Sequence, residues 1–262
     1  MFIPLHDSNA LVHIRRQYVT IGLIITNFTI WALMSLGDGN DSFVNAALLG
    51  LGFIPAVAND YAQLATGLAI VPEPATYVTY AFLHGSFFHV ASNMLFLWVF
   101  GDNVEDALGH LRFLLFYLTC AVAGAFAHGL VYPQSEAPLI GASAATSGVV
   151  AAYLMLHPRV KIWVLAFGRI PLRLPAYIPL AGWVVFQFYM LAVDPYGSVS
   201  WAAHIGGILA GMVLVLVLRR RAVPLFDRTI VTPAAVTIRQ RTESDLATSE
   251  QPGRPARWGR QK

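Results

Sequence analysis

Charge is what this sequence has least of. Only 12% of its 262 residues are Asp, Glu, Lys or Arg, against about a quarter in an ordinary soluble domain. Cysteine is almost absent. The single Cys120 sits in an apolar run, which excludes an intrachain disulfide and a cysteine-built metal cluster. No HExxH pattern is present, so nothing announces a zinc protease, and no cofactor or metal is expected. A cleavable leader is not evident either: residues 1–17 are mixed with polar and charged side chains, and no small-residue cleavage site follows the first apolar run. The net charge of +3 would point to nucleic acid only if the basic residues formed one patch, and they are spread over separate connecting segments.

What is present is apolar. Hydrophobic residues make up 56% of the chain and the mean hydropathy is +0.59. The expected fold class is an all-α polytopic membrane bundle with six transmembrane helices. The apolar runs cover residues 18–36, 89–101, 112–132, 143–157, 174–193 and 201–218. A full crossing takes about 20 residues, so the second and fourth runs are short. Their outer ends are expected to lie below the bilayer surface, inside protein or a wet cavity.

The Lys and Arg residues set the orientation. They fall in the N-terminal segment (Arg15, Arg16), after the second run (Arg112), after the fourth (Arg159, Lys161, Arg169, Arg173) and in the tail. The other connections carry only acids, among them Asp38, Asp60, Glu136 and Asp194. The positive-inside rule then places both termini in the cytoplasm. Three regions follow: a cytoplasmic segment 1–17, a transmembrane domain 18–218 with a long non-cytoplasmic loop 37–88, and a basic tail 219–262. The tail is rich in Arg, Pro, Thr and Ser and cannot bury a core. Within the long loop, residues 43–54 and 61–71 are apolar but too short to cross and are expected to lie in the interface. Every acidic residue is expected in a loop or the tail. A prokaryotic plasma membrane is the expected location, because no organelle-targeting segment is evident.

This topology aligns three polar clusters. The second, fourth and sixth runs all begin on the outer side, with "HVASN" at His89, "GASAATSG" around Ser143 and "WAAHIGG" around His204. Polar groups at membrane depth are costly and face a bundle interior or cavity. A serine hydroxyl needs a base to become a nucleophile, and histidine is the usual one. His89 and Asn93, four residues apart on one helix face, offer donors for an oxyanion. Ser143 at a helix start has free backbone N–H groups and a favourable dipole around it. With no acid at this depth, the set reads as a Ser143–His204 dyad. Small residues also let membrane helices approach closely, so Ser143, Ser147, Gly148 and Ala152 fit packing as well as chemistry. Taken alone, His204 and His128 are single histidines of the kind that cores satisfy, and His84 is expected to border the loop just above the site. A transporter is disfavoured by the lack of charged residues well inside the runs.

These segments resemble the rhomboid family of intramembrane serine proteases over about residues 72–212. "TYAFLHGSFFHVASNMLFLWVFGDNVEDALG" is similar to its second-helix block, "LIGASAATSGVVAAY" to its serine motif and "VSWAAHIGGILAGM" to its histidine motif. The resemblance implies Ser143 and His204 as catalytic dyad, with His89 and Asn93 at the oxyanion hole. It also implies substrates that are membrane proteins with a transmembrane helix, cleaved at the bilayer without metal or nucleotide. Oligomeric state is not implied. Two departures stand out. The family serine is usually followed by glycine, where this chain has Ala144, and the Trp-Arg pair common before the second-helix block is absent. Ala144 motivates the alternative, a catalytically impaired relative that binds membrane helices.

Overall fold

The computed structural model describes residues 2–36, 41–195 and 197–227. Residues 228–262, most of the basic tail, and residues 37–40 of the long loop lie outside the described residues. The chain opens with strand β1 (Phe2–Asp7) and helix α1 (Tyr18–Ser35). It continues with α2 (Asp41–Leu51) and the short α3 (Pro55–Ala58) and α4 (Thr76–Thr79). Then come α5 (Phe87–Leu108), α6 (His110–Val131) and α7 (Ser143–Leu156), strands β2 (Lys161–Ala166) and β3 (Ile170–Pro175), and helices α8 (Tyr177–Val193) and α9 (Trp201–Leu218).

The molecule is mostly helical, with several apolar helices of membrane length. By length and composition α1, α6 and α9 can each cross a bilayer unaided. α5 can be counted as a fourth with the helical stretch Glu73–Phe82, from which it is bent by 85°. α7 and α8 are shorter apolar helices. α7 lies against α5, α6 and α9, and every residue from Ala144 to Tyr153 is buried. A helix walled by protein on all sides does not have to match the bilayer thickness.

Two expectations are corrected. First, the fold is not purely helical: β1 pairs antiparallel with β2, and β2 with β3. The segment expected as a basic loop alternates buried Ile162 and Val164 with exposed Lys161 and Trp163, the period of a half-buried strand. Its partner β1 lies far away in sequence, which is why periodicity over six residues did not reveal the pairing. Second, not all acids lie in loops. α5 runs beyond Gly101 to Leu108 and carries Asp102, Glu105 and Asp106 in its last turns.

Those carboxylates have definite employment. Glu105 is fully buried. It accepts from the backbone N–H groups of Val19 (3.0 Å) and Thr20 (2.8 Å) and from the Thr20 hydroxyl (2.7 Å), and pairs with His110 Nδ1. Gln17, at the N-cap of α1, makes no side-chain cap bond, so Glu105 supplies from another helix the cap that α1 lacks. Asp106 accepts from the N–H groups of Val12 (3.1 Å), His13 (2.6 Å) and Ile14 (2.7 Å). Asn103 Nδ2 and the Tyr153 hydroxyl both donate to Asp7 Oδ2, at 2.9 and 2.8 Å. One end of α5 thus holds the N-terminal arm.

Candidate active site

At the other end of α5 the polar clusters meet. Residues 139–142 reach α7 in an extended path. Leu139 and Phe53 exchange backbone hydrogen bonds of 2.8 and 3.2 Å, and Gly141 N–H donates to the Tyr80 carbonyl at 3.0 Å. Gly141 has φ +114°, where a side chain would be strained. Space forbids one as well: a Cβ there would lie 2.7 Å from His89 Nε2. The sequence glycine two residues before Ser143 therefore serves the approach of an imidazole to the backbone.

His89 is in the first turn of α5, where its N–H donates to the Ser86 hydroxyl that caps the helix, at 3.2 Å. Its ring stands edge-on to that of His84, with centroids 4.9 Å apart. His84 is buried, and its Nε2 accepts from the Ala142 N–H at 3.3 Å. It orders the turn leading into Ser143, a contact with no mark in the sequence. Asn93 lies one turn along α5, buried, its Nδ2 donating to the His89 carbonyl at 3.0 Å.

Ser143 opens α7 and is half-buried. The N–H groups of a first turn precede the helical hydrogen-bond ladder, which here starts with Thr146 N–H donating to the Ala142 carbonyl at 2.9 Å. Ser147 is different: it is buried and its hydroxyl donates to the Ser143 carbonyl at 2.6 Å. Ser147 is thereby committed to its own helix. Ala144 has helical backbone. Its methyl faces Gly124 of α6, where an added Cβ would be 2.3 Å away. Its carbonyl faces Gly207 of α9, where an added Cβ would be 1.9 Å away. The extra methyl after the serine has a glycine-lined place.

These contacts press the start of α7 onto the turn of α9 that carries His204. The His204 ring is buried between Trp201, edge-on at 5.9 Å, and Trp183, stacked at 6.3 Å. Its Nδ1 lies 2.8 Å from Oε1 of Gln187 on α8. No hydrogen bond joins Ser143 Oγ to His204 among the described residues. The structure places His89 and His84 against the 139–142 segment, Asn93 one turn along α5 from His89, Ser143 directly after that segment, and His204 on the neighbouring helix α9. His128 stands apart, its Nδ1 2.7 Å from the Ser200 hydroxyl that caps α9. Gln187 was not singled out from sequence. Its signal was available: a lone amide in an apolar span is costly and marks a partner.

Comparison with known proteins bears on the whole arrangement. The Rhomboid domain family model matches residues 72–221. The chain is 32% identical over 142 residues to Rhomboid protein 1, mitochondrial, of Saccharomyces cerevisiae, covering 50% of this chain and 38% of that protein. It is 32% identical over 139 residues to Presenilin-associated rhomboid-like protein, mitochondrial, of Homo sapiens (50% and 34%). With Rhomboid-like protein 11, chloroplastic, of Arabidopsis thaliana it shares 32% over 158 residues (56% and 54%). The match thus spans 34% to 54% of these relatives' own lengths. Their names place them in mitochondria and chloroplasts, so they lend no support to the expected prokaryotic plasma membrane.

Proposed function

This chain belongs to the rhomboid family, and from that premise we propose that it is an intramembrane serine endopeptidase acting on membrane proteins that carry a transmembrane helix. In this reading α1 and α5 to α9 are the six spans and both termini face the cytoplasm, as the Lys and Arg distribution requires.

Ser143 Oγ attacks a substrate backbone carbonyl while His204 takes its proton. The carbonyl carbon becomes tetrahedral, and its oxyanion is held by His89, the Asn93 amide and the Ser143 N–H. His204 returns the proton to the leaving amine, the C–N bond breaks, and an acyl-enzyme remains. Water, deprotonated by His204, then cleaves the ester and frees Ser143. The substrate must unwind locally, because helical carbonyls are already hydrogen-bonded, and helix-breaking residues near the scissile bond lower that cost.

The observation that carries this reading is the contrast between two serines one turn apart. Ser147 is buried and its hydroxyl is spent on a carbonyl, whereas Ser143 is half-exposed, two residues after the Gly141 that the His89 ring approaches. The alternative, an impaired relative that binds membrane helices, rests on Ala144, and the Gly124-lined place for its methyl supports the protease reading against it. The test is a fluorescent fluorophosphonate on purified protein. Labelling is expected in wild type and Ser147→Ala, and none in Ser143→Ala or His204→Ala. A folded wild type that stays unlabelled favours the helix-binding alternative.

A further inference from the structure

Gln187 occupies an unusual position. α8 buries only two side chains, Leu180 and Gln187. A buried amide in an apolar setting is expensive unless both its ends are bonded. Here both are. Nε2 donates to the Trp183 carbonyl at 2.9 Å, and Oε1 lies 2.8 Å from His204 Nδ1. The amide's orientation follows from chemistry. A backbone carbonyl can only accept, so the end facing Trp183 must be the NH₂, and the end facing His204 must be the oxygen. An amide oxygen can only accept too, so His204 Nδ1 carries a hydrogen and donates it. In the neutral ring the lone pair then sits on Nε2.

We propose that Gln187 is the positioning residue of His204. It fixes the Nδ1–H tautomer and, with the rings of Trp183 and Trp201, the plane of the imidazole. This rests on the reading of His204 as the base for Ser143, because a base must present a lone pair and not a hydrogen to the serine. The dyad read from sequence thus has a third, uncharged member, contributed by a different helix. A carboxylate in that role would bring a charge to membrane depth. An amide supplies the acceptor without one and steadies the imidazolium formed when the serine proton arrives.

The experiment uses the full chain, ¹⁵N-labelled at histidine, in detergent or lipid, with cleavage of a transmembrane reporter followed in parallel. In wild type His204 is expected as the Nδ1–H tautomer, and a wild-type Nε2–H tautomer overturns the proposal without any variant. Gln187→Leu is expected to mix or invert the tautomers. It should lower kcat by about 10- to 100-fold with KM little changed, by analogy with the loss of the orienting partner of a metal-ligating histidine. Gln187→Glu keeps an acceptor and is expected to restore the tautomer and most of the rate. Gln187→Leu with the wild-type tautomer and unchanged kcat overturns the proposal. If wild type neither cleaves nor takes up fluorophosphonate, the protease reading falls, while the tautomers still decide the Gln187 contact.

Discussion

The two ends of α5 put polar side chains to opposite uses. At the C-terminal end, the Glu105 carboxylate is filled with donors from α1 and the Asp106 carboxylate with donors from the N-terminal arm, and Asn103 and Tyr153 together serve Asp7. At the N-terminal end, His89 lies against bare backbone at Gly141, and Ser143 Oγ has no hydrogen-bond partner among the described residues. Buried polar groups that are fully satisfied rigidify a fold. Groups with spare capacity in a half-exposed cluster are available to a substrate. Saturation, more than residue type, separates the structural end of this helix from its candidate chemical end.

That contrast can be broken most forcefully at Glu105. Glu105→Ala strips partners from the half-buried Val19 N–H and from the buried Thr20 N–H and hydroxyl, and removes the side chain that caps the start of α1. The expected loss is roughly 3–5 kcal/mol of stability. It should appear as a lower Tm in detergent, with fluorophosphonate labelling intact in the fraction still folded. The opposite end should give the opposite pattern. Asn93→Ala removes a proposed oxyanion donor whose structural bond is a local one to the His89 carbonyl. It is expected to lower kcat by about 10²- to 10³-fold and to leave Tm nearly unchanged. A large Tm loss in Asn93→Ala with kcat preserved would reverse the assignment of the two ends.

The same distinction explains what was legible in the sequence. α1, α6 and α9 announce themselves as long apolar runs, and Ser143, His89, Asn93 and His204 were brought to one depth by counting crossings. Such features are local or follow from parity. The sheet was not legible, because Phe2–Asp7 joins Lys161–Ala166 from far away in sequence, and the short hairpin of Lys161–Ala166 with Ile170–Pro175 carries the Lys and Arg residues of a basic loop. The end of α5 was misjudged because Asp102, Glu105 and Asp106 look like loop residues until their donors arrive from α1 and the arm. Gln187 escaped for a related reason. A lone amide in an apolar span signals that a partner exists, but its contacts to the Trp183 carbonyl and to His204 Nδ1 leave no periodic trace that names one.

The saturated end also predicts a pH dependence. Burial pushes the Asp7 carboxyl up from 3.8 to about 6, against the smaller lowering effects of the Tyr153 hydroxyl and His6. A carboxyl whose folded value is raised binds its proton more tightly in the native state. The native state therefore gains stability as pH falls from above 6 toward 4, and loses it again as pH rises through 6. The full difference is on the order of 3 kcal/mol. The measurement is Tm from pH 5 to 8 for wild type and Asp7→Asn. Wild type is expected to lose stability relative to the variant across that range, and a constant difference would exclude an Asp7 proton from the linkage.

The smallest effect concerns packing at the candidate chemical end, where steric complementarity replaces hydrogen bonding. Gly124→Ala would set a methyl 2.3 Å from the Ala144 methyl and 2.9 Å from the Ala203 carbonyl. Because Ala144 and Ala203 adjoin Ser143 and His204, relief of the clash displaces α6 against the two helices that carry them. The expected cost is about 1–3 kcal/mol of stability, with slower fluorophosphonate labelling. Ala144→Gly alone should be nearly neutral in labelling, since the methyl already has its place. In Ala144→Gly with Gly124→Ala the closer clash is gone and the one with Ala203 remains, so partial recovery of both Tm and labelling is expected. Such non-additivity is the signature of direct contact. Strictly additive effects would mean that α6 does not set the spacing of Ser143 and His204.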